Sequence, residues 1–255
     1  MARVMCYRCF WPAALCWCAT LKSMETRTHF LFLMHPKEYK QEKAGTGRLT
    51  QLCLRNSSLH MGMDFGSHDA VQAILSDDRF HPVLLYPGSG AFNLSEPGDA
   101  QRFSAFSGEL SRRTLLVVIL DATWSGARKM LRLNPALQKL PRIMFTAAEP
   151  SRYVIKQQPH PACLSTLEAT HETLRALERA GLDHYSDPDQ LIALFHRMQD
   201  FQIRCASDPM RVGYRHRSYT KVSERVPARG RSATRRENYL RIPPAPAPGA
   251  AEPVT

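Results

Sequence analysis

The chain has no apolar run of the roughly 18 residues that a membrane-crossing helix requires, so no spanning segment is expected. An export signal is missing as well. The opening MARVMCYRCFWPAALCWCATLK is hydrophobic, but Arg8 and Pro12 interrupt it and four of its residues are cysteines, unlike the core of a signal peptide. A cytoplasmic, reducing compartment is therefore expected, where closely spaced cysteines read as metal ligands before disulfides. Internal repeats are absent, which excludes array architectures. Acidic residues are scarce: 23 Asp and Glu face 34 Lys and Arg, for a formal charge of +11 over 255 residues.

That excess is unevenly placed. Residues 211–242 carry ten Lys/Arg against Glu224 and Glu237, so this segment alone holds +8. Hydrophobic periodicity also stops at Arg211, and residues 243–255 are Pro/Ala-rich with no means of packing. Residues 207–255 are expected to be a disordered basic tail that meets phosphate, of nucleic acid ahead of an anionic membrane; the competing reading is a solvated segment that only aids solubility.

What remains is ordinary globular sequence, long enough to bury a sizeable core. HFLFLM, residues 29–34, reads as a strand that leaves into a loop at His35-Pro36. An apolar-periodic helix follows from Thr46 to about Asn56, and a second over 68–75. PVLLYPGSG, residues 82–90, is a buried strand that stops at Pro87 and a glycine turn. TLLVVIL, 114–120, is the strongest strand, because a continuous Val/Ile/Leu run is what a parallel strand covered on both faces requires. Helical patterns over 125–133 and 135–140 are separated by Pro135, and short strands are expected at 142–146 and 153–156. A helix starts at Ser165, carries Leu167, His171, Leu174 and Leu177 on one face and ends at Gly181. A last helix covers 188–205. Strands alternating with helices predict an α/β domain with a mostly parallel sheet over residues 25–206.

Two features carry chemistry. Cys6-x2-Cys9-x6-Cys16-x-Cys18 puts four thiolates within thirteen residues, the donor set of a closed, tetrahedral, structural zinc site. Residues 1–24 are thus expected to be a small zinc-binding segment; an aromatic plug built on Trp11 and Trp17 is the alternative. Cys53, Cys163 and Cys205 are scattered and fit core packing. The second feature is Asp121-Ala122-Thr123-Trp124. It brings a carboxylate, a hydroxyl and an indole out of the strongest strand, and ligands of open α/β sheets gather at the carboxyl ends of strands.

The order of the parts resembles the DTW-domain family, the tRNA-uridine aminocarboxypropyltransferases. The resemblance runs from Cys6 to about Phe201, through the cysteine cluster, His35-Pro36-x-Glu38, Thr46-Gly47-x-Leu49, Leu85-Tyr86-Pro87, Leu120-Asp121-Ala122-Thr123-Trp124 and Leu164-Ser165-Thr166-Leu167-Glu168-Ala169. It implies a SPOUT-like fold with a knotted sheet. It also implies transfer of the 3-amino-3-carboxypropyl group of S-adenosylmethionine to N3 of a tRNA uridine, with methylthioadenosine released. A variable-loop uridine is the guess for the acceptor. S-adenosylmethionine and tRNA are the expected partners; nothing calls for an obligate protein partner or a membrane. The chain departs from the family at Ala122, where many members have glycine, and at Lys156, where arginine is expected.

On this resemblance, Leu85, Tyr86, Pro87, Leu120, Thr123, Trp124, Leu164, Ser165, Thr166 and Glu168 are candidates for holding the co-substrate. Asp121 is the candidate general base for the weakly acidic uridine N3–H, or a group that holds the transferred amino group; an N-cap role is its plain alternative. Trp124 either stacks on a base or closes the core. Ser165 and Glu168 also match a helix capping box. His35, Arg128, Lys129 and Lys156 are candidate RNA contacts, with a solvated helix face the alternative for Arg128 and Lys129. Two other functions stay open: a SPOUT-class RNA methyltransferase, and a zinc-stabilised RNA-binding protein without catalysis.

Overall fold

The two most apolar runs form neighbouring strands in the middle of one sheet. A computed structural model describes residues 4–13, 16–41, 45–88, 90–96, 98–154 and 163–208. Its six strands are β1 (His29–Met34), β2 (Ser57–Met61), β3 (Phe80–Leu85), β4 (Phe92–Asn93), β5 (Thr114–Asp121) and β6 (Arg142–Met144). They lie in the order β2-β1-β5-β3-β6-β4, and every pairing is parallel. The expected mostly parallel sheet is wholly parallel among the described residues.

Parallel pairing needs crossovers, and the helices supply them. They are α1 (Pro36–Gln41), α2 (Thr46–Cys53), α3 (Asp69–Leu75), α4 (Ala100–Leu110), α5 (Trp124–Leu133), α6 (Pro135–Gln138), α7 (Thr166–Arg179) and α8 (Pro188–Ser207). Alternation along the central strands assigns each side chain to one of two cores. Phe30 and Phe32 of β1, with Leu115, Val117 and Ile119 of β5, meet α2, α7 and α8. Leu31 and Leu33, with Leu116, Val118 and Leu120, face the opposite way onto Val71 of α3 and onto α5 and α6. Both faces are covered, which is why these strands read as unbroken apolar runs.

The four-cysteine segment does not float free. Trp11 and Trp17 meet edge to face at 5.2 Å, and both pack on Phe201 of α8. Arg197 of α8 caps the Trp17 ring at 5.3 Å. The segment therefore contributes to the larger core and presents its cysteines at the edge.

Several expectations shift. The first helix ends at Cys53, and residues 57–61 form edge strand β2, which was not anticipated. Helices α1 and α4 and strand β4 were also not anticipated. Tyr153 and Val154, expected in a strand, lie outside the sheet: Val154 donates its N–H to Gln199 Oε1 at 2.7 Å, and the Tyr153 ring packs on Phe195 at 5.3 Å. Helix α8 thus takes the Val154 N–H in place of a neighbouring strand, and the Tyr153 N–H goes to Ser151 Oγ at 3.2 Å. Lys156 and residues 209–255 lie outside the described residues.

Candidate functional site

Strand β5 ends on Asp121, and three chain segments converge on that residue. Register pairs it with Met34, the last residue of β1. The chain leaving β1 then bonds back, His35 N–H donating to the Asp121 carbonyl at 2.9 Å. The side chain is 5% exposed, and Thr166, the first residue of α7, donates its hydroxyl to Asp121 Oδ1 at 2.6 Å. On the other side sits Gly47, in the first turn of α2. A Cβ added there would lie 2.2 Å from Asp121 Oδ2 and 2.4 Å from Cγ. Glycine is what allows the carboxylate to rest against that turn. The start of α2 is also where a helix favours negative charge. A deeply buried carboxylate is thus accommodated by a hydroxyl donor and a helix start.

Asp121 does not cap α5. Thr123 does, its hydroxyl accepting from Gly126 N–H at 3.2 Å. This removes the plainest structural reading of Asp121.

Beside it opens a cleft of about 170 Å³ at the carboxyl ends of β3, β5 and β6, bounded by the start of α7. Leu85, Tyr86, Pro87, Leu120, Trp124, Leu164 and Thr166, all proposed from the sequence, line it together. Phe145 and Met144 add apolar wall that sequence reading did not single out. The Tyr86 and Trp124 rings stand 6.5 Å apart at 60°. Burial pushes the Tyr86 phenol up from its usual range, with Arg128 and Arg142 opposing. The Arg142 guanidinium lies 5.8 Å over the Tyr86 ring. The cleft is therefore aromatic and apolar within and basic at one edge; Asp121 is not one of its lining residues and reaches it through Thr166, whose hydroxyl hydrogen bond it accepts.

The other proposed residues fall elsewhere. Ser165 and Glu168 form a complete capping box, the Ser165 hydroxyl accepting from Glu168 N–H and Glu168 Oε2 accepting from Ser165 N–H at 2.8 Å. Glu168 Oε1 also accepts from Arg152 N–H at 2.7 Å, so this carboxylate pins residues 151–152 to α7. It lines a separate cleft of about 340 Å³ whose walls, including Glu149, Arg152, Glu172 and Arg175, are largely engaged with one another. That cleft is not at the strand ends. Thr123 is exposed and occupied as a cap. His35 lies beside the first turn of α5: a Cβ on Gly126 would come 3.5 Å from its ring. Its imidazole is pulled below the ordinary value by burial, with Lys37 and Lys129 adding to the effect. Arg128 is half-buried and Lys129 exposed, both one turn into α5.

Two further buried groups were missed by sequence reading. Asp183 accepts from Arg27 and Thr28 N–H at 2.7 and 2.9 Å and clamps the entry to β1. Gly47 counted only as part of a motif; a glycine inside a helical pattern was the available sign of close approach.

At the edge of the fold, Sγ of Cys6 and Cys18 are 3.8 Å apart and Sγ of Cys9 and Cys16 are 3.7 Å apart, with all four within 4.8 Å of one another. Tetrahedral zinc–thiolate bonds of about 2.3 Å separate sulfurs by about 3.8 Å. The four thiols fit such an ion with no position left for water. The Cys6 thiol is drawn down to about 6, chiefly by the backbone amides of Cys9 and Arg8. Those donors favour a thiolate at Cys6, whereas burial, with the neighbouring thiols, pushes the Cys18 thiol up to about 12.

Residues 3–203 match the DTW domain. The chain belongs to the DTW-domain family. It is 30% identical over 183 residues to "tRNA-uridine aminocarboxypropyltransferase 2" of Drosophila melanogaster, covering 69% of this chain and 67% of that one. It is 26% identical over 212 residues to the Mus musculus protein of the same name, covering 81% and 68%. Identity to "tRNA-uridine aminocarboxypropyltransferase A" of Arabidopsis thaliana is 22% over 217 residues, covering 78% and 81%. No solved structure matches. Among the described residues no helix is long and apolar enough to cross a membrane. The match extends across the cysteine cluster, the Asp121 site and most of α8.

Proposed function

We propose that this DTW-domain protein transfers the 3-amino-3-carboxypropyl group of S-adenosylmethionine to N3 of a tRNA uridine. The observation that carries the proposal is the pairing of a buried carboxylate, held by Thr166 and Gly47, with the aromatic cleft beside it. S-adenosylmethionine supplies an electrophilic carbon next to a sulfonium. Leu85, Pro87, Leu120 and Leu164 offer the flat apolar surface an adenine requires. Tyr86 and Trp124 suit the sulfonium, because ring faces attract cations.

Asp121 then has a defined task. Uridine N3 is a poor nucleophile until its proton leaves, and Asp121 takes that proton. The N3 lone pair forms the bond to the γ-carbon, the carbon–sulfur bond breaks with its electrons going to sulfur, and neutral methylthioadenosine departs. Thr166 holds the carboxylate's direction, and the Gly47 turn keeps water from its back. His35, Arg128 and Lys129 lie round the same strand ends and meet tRNA phosphate. Lys156 and the basic segment from Arg211 onward extend that grip. The cysteine cluster holds zinc as a structural ion, with no part in the chemistry.

The topology supports the knotted SPOUT class. Strand β6 sits between β3 and β4, which only residues 86–91 connect. A strand inserted between two others joined by so short a connection is the arrangement a knotted return would use.

The test is Asp121→Asn. Loss of the base should lower kcat by about 10²–10⁴ while tRNA and S-adenosylmethionine affinities stay near wild type. Turnover within a few-fold of wild type would remove Asp121 from the reaction.

A further inference from the structure

We propose that the tip of the four-cysteine segment, Tyr7, Arg8 and Phe10, forms with Arg48 a second RNA contact. It would stack an unpaired nucleobase and hold the phosphate beside the acceptor uridine. The inference rests on the transferase reading for the identity of the RNA, and on separate observations for the surface.

Exposed large apolar side chains are concentrated here. Val4, Met5, Tyr7 and Phe10 all belong to this segment, and Tyr7 is 91% exposed. Phe10 follows the Cys6-x2-Cys9 turn with a φ of 59°, a left-handed conformation that favours glycine. The chain thus accepts strain to keep an aromatic ring at that point.

The ring has a specific neighbour. The Arg48 guanidinium packs against two aromatic rings, 4.0 Å from the Phe10 centroid and 4.5 Å from that of Tyr39, and the two rings also meet each other at 5.4 Å. Its Nη2 is buried and has no hydrogen-bond partner among the described residues. A guanidinium packed this way has a fixed direction and lacks an acceptor.

Position ties the stack to the reaction centre. Arg48 follows Gly47, whose turn touches the Asp121 carboxylate, and Tyr39 donates its N–H to the carbonyl of His35. Both supporting helices begin at the site. Arg8 and Lys37 are exposed nearby. Aromatic rings interleaved with cations are how proteins grip single strands, since every base has a face to stack and every nucleotide a phosphate. An apolar protein partner would cover the rings but leave the exposed Arg8 and Lys37 without counter-charge, which a nucleotide's phosphate supplies.

The experiment uses the full chain with Tyr7→Ala, Phe10→Gly and Arg48→Gln. Affinity is measured for an unmodified tRNA transcript and a single-stranded oligouridylate, beside metal content and S-adenosylmethionine affinity. Phe10→Gly relieves the backbone strain, and Tyr7 is too exposed for its loss to unfold the segment. Each ring variant should weaken both RNAs roughly tenfold, and Arg48→Gln should lower the salt slope by about one. Metal content and S-adenosylmethionine affinity should not change. RNA affinities within twofold of wild type for all three variants would overturn the proposal and leave the patch to a protein partner. Weakened RNA binding in a protein that modifies no uridine would instead sink the transferase reading alone.

Discussion

Gly47→Ala tests whether the Asp121 carboxylate is held where the account needs it. The added methyl would lie 2.2 Å from Oδ2, where carbon and oxygen normally keep about 3.5 Å. The carboxylate must retreat by about 1 Å, and it cannot do so without disturbing the 2.6 Å bond from Thr166. Overpacking of this kind costs about 1–3 kcal/mol. Replacing a helical glycine returns about 0.5–1 kcal/mol, so net destabilisation is about 0–2.5 kcal/mol, a few degrees of Tm. Activity should suffer more, because a 1 Å misplacement costs about 10²-fold. The assay is kcat with saturating tRNA, together with thermal unfolding of Gly47→Ala, Asp121→Ala and the double variant. In the Asp121→Ala background the clash disappears, so Gly47→Ala should stabilise. Near-native turnover of Gly47→Ala, or the same stability change in both backgrounds, would refute the packing argument.

Three other outcomes follow. Stripping the metal with a strong chelator, or Cys9→Ser, should loosen the Trp11–Trp17–Phe201 packing and shift tryptophan fluorescence to the red; an unchanged spectrum would mean the segment holds together without an ion. His171 is held down to about 4, chiefly by burial, while the unfolded chain titrates near 6.5. Its neutral form therefore supports the fold fully above about 6.5, and that support declines as pH falls towards 4; His171→Gln should flatten unfolding midpoints across that window, and an unaltered profile would contradict this. Removing residues 211–255 takes away +7 of charge, ten Lys/Arg against Glu224, Glu237 and Glu252. It should weaken tRNA binding and reduce its salt dependence without changing S-adenosylmethionine affinity; equal tRNA affinity would make the segment irrelevant to RNA.

How much of this was legible beforehand depended on burial. The β1 and β5 runs announced themselves because both faces are covered and no polar residue interrupts them. Strand β2 did not: SSLHM is a half-covered edge whose serines and histidine satisfy no strand pattern. Helix α4 has no fully buried residue, only Phe103, Phe106 and Leu110 leaning on the core, so its periodicity is faint. Helix α1 is six residues long behind His35-Pro36, where a loop is the natural reading. The Tyr153–Val154 pair misled because aromatic and β-branched residues fill a core from a loop as well as from a strand. At the site, Asp121 and its cleft walls were legible from strand-end placement and family motifs. The role of Gly47 and the Arg48 stack were not, since both arise from contacts between segments distant in sequence. Ser165 and Glu168 carried two readings; the capping box is realised in full, and Glu168 also reaches Ser151 and Arg152.

The central claim is best tested by incubating the full chain with unmodified tRNA and S-adenosylmethionine, then analysing the digested nucleosides by mass. The account predicts a uridine heavier by one 3-amino-3-carboxypropyl group, with methylthioadenosine released in equal amount. A methylated nucleoside with S-adenosylhomocysteine would place the chain among methyltransferases instead, and no modified nucleoside across a full tRNA pool would contradict catalysis at Asp121.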